Sequence, residues 1–356
     1  MSVRSRAGHV ACLVVLLLLA PWARAEPEGS SRQAPPLVTV GYDETFDLFN
    51  LLDNLPDWLP GYTSAIYQQD WERRFGLDAE DRAAIEGYAR FRQRTSPMAR
   101  DDQGSDALGE RLFAGCDTRT GDPYTRYFQN ATSFEAAADA AIAAQPSADQ
   151  DLLRAYYARL MPRARALLAG TGRFTQQQEV LAKELAAPEA AAFATRMRSF
   201  YGVEAVPTFQ VRFVWWPYTN RTQAKLRGGS ILLFSAQGVQ DDWAPIVLHE
   251  YAHFLSAGQP GERRALLATA FAEACPSALA LPNPLNALEE PLAIYWGQYR
   301  FEHDVRGQVL SAESSWYMQP HADRAAKAIA AAFPADRATP ALAPGPLLQA
   351  AASVCK

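Results

Sequence analysis

Apolar positions divide the chain into a helical first half and a mixed second half. From Thr45 to about Tyr201 they recur at helical spacing. The clearest runs are "TFDLFNLLDNL", "AEDRAAIEGYARFRQR", "SFEAAADAAIAAQ", "ADQDLLRAYYARLMPRARALLAG" and the alanine-rich stretch around Pro188. "LVTVGYDE", just before them, has strand character. Near Val203 the pattern changes. "VPTFQVRFVWWPY" is dense in β-branched and aromatic residues and predicts a strand, with Trp215 and Trp216 packing the sheet. "NRTQAKLRGGS" reads as a turn or loop, and "SILLFSAQG" as a second strand. Asp241 and Asp242 stand where an N-cap belongs and Pro245 suits a first turn, so a helix is expected over "IVLHEYAHFLSAG", stopping near Gly258. More helices are expected over Glu262 to Ala274, Leu288 to Tyr299 and Asp323 to Phe333. The result is an α+β protein: region 37–202 mainly helical, region 203–356 carrying a small mixed or antiparallel sheet packed on the histidine-bearing helix.

The first 36 residues stand outside this pattern. Arg4 and Arg6 precede an apolar run from Val10 to Ala20, and Ala23-Arg24-Ala25 offers small residues for cleavage. The run is too short to span a bilayer comfortably, so residues 1–25 read as a secretory signal peptide and 26–36 as a disordered leader. No later segment is long and apolar enough to cross a membrane. The signal holds three arginines and no acid, so its removal takes the formal charge from −5 to −8. An acidic exported chain has no electrostatic reason to seek nucleic acid or anionic lipid. Only four of the 34 basic residues are lysine and alanine is abundant, a composition that suits a bacterial protein, periplasmic or secreted.

Export bears on the cysteines. Cys116, Cys275 and Cys355 remain after cleavage, which in an oxidising compartment implies one disulfide and one free thiol. Sequence does not choose among the three pairings; Cys275 with Cys355 would tie down the C-terminus.

"VLHEYAHFLSAG" places two of the chain's five histidines, His249 and His253, four residues apart. On a helix, positions i and i+4 share a face, so both imidazoles can meet one ion. Glu250 lies about 100° further round the axis. There it is poorly placed as a third ligand and well placed to act as a general base on water. Two histidine ligands with an intervening glutamate are the arrangement of Zn²⁺ metallopeptidases.

At these residues the chain resembles the zincin metallopeptidases. The metzincin continuation would need histidine at 259, where Gln259 stands. "ALEEPLAIYWG" resembles instead the glutamate helix of gluzincins, and by that match Glu290 is the third ligand, with Pro291 where glycine is common. Glu273 in "FAEACPSA", 20 residues after His253, and Glu289 are rivals. The resemblance implies a zinc-dependent hydrolase of peptide bonds, acting on a peptide or protein substrate through metal-activated water with Glu250 as base. It also implies a substrate-pairing strand before the histidine helix, for which Ser230 to Ser235 is the candidate. An oxyanion stabiliser is implied too: Tyr317 first, with Tyr299, His303 and His321 as alternatives. A zinc amidase acting on cell-wall peptide and a non-catalytic binding protein retaining the fold stay open; an intact Glu250 argues against the binder.

Overall fold

Two strands that are apolar on both faces organise the protein. The computed structural model describes residues 38–59, 63–96, 122–169, 174–203, 209–218, 223–227, 230–236, 241–281 and 283–355. Signal, leader and Cys116 therefore lie outside the described residues. In β2 (Phe209–Trp215) and β4 (Ser230–Ser235), Val211, Phe213, Ile231 and Leu233 enter one core, while Val214, Leu232 and Phe234 enter another. Alternation along a strand sends successive side chains to opposite faces, so an apolar residue at nearly every position means that both faces are covered.

The four-stranded sheet has the order β1-β2-β4-β3. β1 (Val38–Tyr42) and β4 both run parallel to β2, and β3 (Gln223–Arg227) is antiparallel to β4. The sheet is thus mixed. Two expectations fail here. "QAKLR" is a strand, although its charges suggested a loop: Leu226 is buried and Lys225 lies over the Phe234 ring at 5.8 Å. Charged residues on a short strand mark a sheet edge. β4 consequently lies between β2 and β3, so Ser230 to Ser235 has no free edge to offer a substrate.

One face of the sheet is covered by α1 (Glu44–Asn54), α2 (Ile66–Phe75), α3 (Ala79–Thr95), α4 (Phe134–Ala143) and α5 (Ser147–Leu168). α1 starts at Asp43, whose side chain accepts the Phe46 N–H at 3.2 Å, and Asp47 accepts the Trp215 N–H at 2.8 Å. Deeper in this layer Arg92 is fully buried between Asp53, at 2.8 Å, and Asp122, with its guanidinium 4.4 Å from the Trp58 ring centroid. Two carboxylates and an aromatic face replace the water this cation loses, and losing either acid would strand a buried charge.

The opposite face is covered by α6 (Thr175–Leu185), α7 (Pro188–Tyr201), α8 (Trp243–Ala257), α9 (Gly261–Ala274) and α10 (Asn286–Ile294). α10 runs through a π-helical turn (Tyr295–Arg300) into α11 (Phe301–Asp304), followed by α12 (Pro320–Ala332) and α13 (Pro346–Ala352). Helices up to α5 thus pack on one core and helices from α6 onward on the other, with β2 and β4 contributing to both. Asp242 does not cap α8 with its side chain. Its carboxylate is held by Arg306 at 2.6 Å, which also reaches Glu184 and Glu302 and so fastens α6, α8 and α11 together.

Cys275 and Cys355 are disulfide-bonded across 80 residues. The enclosed segment contains α10, the π turn and α12. No helix among the described residues is long and apolar enough to cross a membrane. In the chain-entropy description, closing a loop of this size stabilises the fold by about 4–5 kcal/mol. Mature protein, unfolded without reductant, should therefore release one titratable thiol per chain, and Cys355→Ser should lower the denaturation midpoint. Three thiols, or an unchanged midpoint, would contradict the bridge.

Candidate metal centre

α8 carries both histidines because its apolar residues bury it between sheet and helices: Val247, Leu248, Tyr251, Ala252 and Leu255 are all in the core. This places His249 and His253, also buried, on one side of the helix at a spacing of four. Their Nε2 atoms lie 3.2 Å apart. α10 delivers Glu290 across them, Oε1 3.3 Å from His249 Nε2 and Oε2 3.2 Å from His253 Nε2. Among the described residues these three are the one group of His, Cys, Asp or Glu side chains placed to share an ion.

The donor set fits zinc in kind and spacing. Two ligands on a tetrahedral zinc at about 2.0–2.1 Å stand about 3.3–3.4 Å apart; the two Nε2 atoms are 3.2 Å apart, and each has one of the two Glu290 oxygens at 3.2–3.3 Å. The electrostatics also favour a cation. Burial raises the Glu290 carboxyl, but hydrogen bonds and charge from the two imidazoles prevail and hold it well below the ordinary carboxylate range. Burial disfavours a charged His253, yet Glu290 outweighs it and lifts the imidazole to about 9. A metal would take over the role those protons play.

The helix bearing Glu290 reaches α8 because residue 297 has no side chain. A β-carbon on Gly297 would sit 2.5 Å from the His249 nitrogen and 2.6 Å from its Cα. One residue on, the Gln298 carboxamide lies 3.4 Å from His249 Nδ1. If a cation took the place of the Nε2 proton, Nδ1–H could donate to Gln298 Oε1. The π turn shifts the helical phase at this contact, a feature frequent at functional sites. Sequence reasoning missed both residues. The glycine inside an apolar helical run was the available signal, and nothing marked Gln298.

Tyr317 also arrives at the centre. Its ring stacks on His249 with centroids 5.5 Å apart, and its hydroxyl lies in the field of the Glu290 carboxylate. Burial and the nearby carboxylate raise its phenol well above the ordinary tyrosine value. Asp323 accepts the N–H groups of Trp316 and Tyr317 at 2.7 and 3.1 Å and so fastens the loop. Glu250 opens into a cleft of about 660 Å³. Burial raises its carboxyl, against the pull of the two imidazoles.

The other candidates stand elsewhere. Glu289 is buried, but accepts from Ser256 Oγ at 2.9 Å and pairs with Arg264 at 3.5 Å, bracing α10 against α8 and α9. Glu273 is exposed near the end of α9. Tyr299 stacks on Trp316 and accepts the Ala335 N–H at 3.1 Å. His303 pairs with Asp304 at 2.9 Å, and His321 is exposed at the start of α12. The cleft is also lined by Ser64, Ile66 and Gln69 around the start of α2, by Gln223 and Ala224 of β3, and by Trp216. No sequence signal tied the helical first half to this cleft.

Comparison of the chain with protein-family models, curated proteins and solved structures found no match in any of the three.

The close approach at Gly297 gives a direct test. Alanine is the better helix former, yet Gly297→Ala should destabilise the protein by about 1–3 kcal/mol, because the added methyl meets backbone that cannot move aside. Denaturant midpoints of the two proteins measure this; a stabilised variant would mean that the helices are not so closely packed.

Proposed function

We propose that this is an exported zinc-dependent peptidase of the gluzincin kind. The convergence of His249, His253 and Glu290 beside a cleft that also presents Glu250 and Tyr317 carries the reading. The two imidazoles and the Glu290 carboxylate would hold Zn²⁺, which when bound polarises a carbonyl and acidifies water. Glu250 acts as general base, taking a proton from the attacking water and passing it to the leaving amine nitrogen. Its raised pKa suits that task, since a base works best when its pKa approaches the operating pH. Tyr317 keeps its phenolic proton, so it can turn from Glu290 and donate to the oxygen that gains charge as the carbonyl is attacked. Gln298 steadies the ring of His249 from its Nδ1 side.

β3 supports a peptide as substrate. It is the sheet edge next to Glu250, β4 occupies only one of its sides, and Gln223 and Ala224 line the cleft. An extended segment laid along it would gain main-chain hydrogen bonds without regard to side-chain identity. The Cys275–Cys355 bridge and the signal-like leader support an oxidising compartment, periplasmic or outside the cell.

Two substitutions separate metal binding from chemistry. Glu250→Gln should retain one zinc per chain and lose peptide hydrolysis by several orders of magnitude. Glu290→Ala should lose zinc on dialysis, while Glu273→Ala keeps it. Full turnover by zinc-loaded Glu250→Gln, or zinc lost from Glu273→Ala and kept by Glu290→Ala, would contradict the assignment.

A further inference from the structure

The lining of the cleft points to the kind of peptide it takes. Among the described residues, Glu250, which is committed to the reaction, is the one acidic or basic side chain apart from His249 that lines it. The remaining polar groups are chiefly the carboxamides of Gln69, Gln223 and Gln298. These can bond to a peptide main chain but cannot neutralise a charged side chain.

An aromatic platform stands at one end. Trp216 is buried, its backbone N–H bonded to Ser235 O at 3.0 Å. Its ring is met edge-on by Tyr67 at 5.5 Å and Phe234 at 5.4 Å. Tyr67 is itself fixed by its hydroxyl, which donates to the Trp215 carbonyl at 2.7 Å. On this support sits Tyr218, 6.0 Å from the Trp216 ring and 42% exposed, lining the cleft. An aromatic ring held in place by buried rings, yet open to solvent, loses little freedom when another ring packs on it.

We propose that Tyr218, supported by Trp216, is the specificity-determining contact for an aromatic side chain of the substrate. The proposal rests on the peptidase reading for the chemistry but not for the recognition. Edge-to-face or offset stacking on Tyr218, added to the apolar area removed from water, accounts for a preference of about tenfold over alanine.

The test uses four neutral-flanked peptides identical except for Phe, Ala, Lys or Glu at one position, scanned along the sequence. Wild-type mature protein should cleave the Phe peptide with a kcat/KM about tenfold above the Ala peptide, and above the Lys and Glu peptides, which carry no ring. Tyr218→Ala should bring the Phe to Ala ratio within about twofold, and Tyr218→Phe, which keeps the ring, should restore it. Calorimetric binding of the same peptides to Glu250→Gln protein gives a second readout that needs no turnover. If nothing is cleaved but the Phe preference appears in binding and vanishes in Tyr218→Ala, the recognition site stands and the peptidase reading falls. A ratio that survives Tyr218→Ala, a preference for Lys or Glu, or binding without discrimination would overturn the proposal.

Discussion

Glu290 meets His249 and His253 only if two helices approach within a glycine's width. α8 presents two imidazoles that, brought together without a cation, would each need a proton donor or acceptor in a place water hardly reaches. The helix from Asn286 brings a carboxylate to both, at 3.2 and 3.3 Å, and keeps that register because Gly297 lies directly against the His249 backbone. Glu289, the next residue on the same helix, reinforces it from behind through Ser256 and Arg264. The disulfide closes the segment that contains this helix and the Tyr317 loop. The geometry of the centre is therefore a property of helix packing rather than of the histidine motif alone.

The sheet gives that packing its setting. Because β2 and β4 carry apolar residues on both faces, they separate two cores, one carrying the His249, His253 and Glu290 cluster and one built from α1 to α5. The second core is more than a support. Residues at the start of α2 and Trp216 at the end of β2 reach the same cleft as Glu250, so the helical first half takes part in forming the place where a substrate would lie. The Arg92 cluster ties α3 to α1, the Asp47 bond to the Trp215 backbone joins α1 to the sheet, and the Tyr67 hydroxyl joins α2 to it through the Trp215 carbonyl.

What could be read from the sequence was whatever depended on local period and local chemistry. The long helices, the two apolar strands and the His249–His253 pair all announce themselves within a dozen residues. Glu290 was reached through resemblance to a short motif, and the structure sets its carboxylate beside both histidines. β3 was missed because its five residues carry Lys225 and Arg227; a charged edge strand has the composition of a loop until its neighbour is known. Asp242 was read as a cap, but Arg306, 64 residues away, competes for its carboxylate. Gln298 and the α2 contribution to the cleft depend on tertiary contacts that leave no periodic trace.

The central claim, that two imidazoles and one carboxylate from these helices hold zinc, is tested most directly by X-ray absorption at the zinc edge on purified mature protein. The expected spectrum has two imidazole nitrogens and a carboxylate oxygen at about 2.0–2.1 Å and no sulfur, and loses the oxygen contribution or the metal itself in Glu290→Ala. A sulfur shell near about 2.3 Å, a single imidazole, or protein that binds no zinc at stoichiometric concentration would contradict the account.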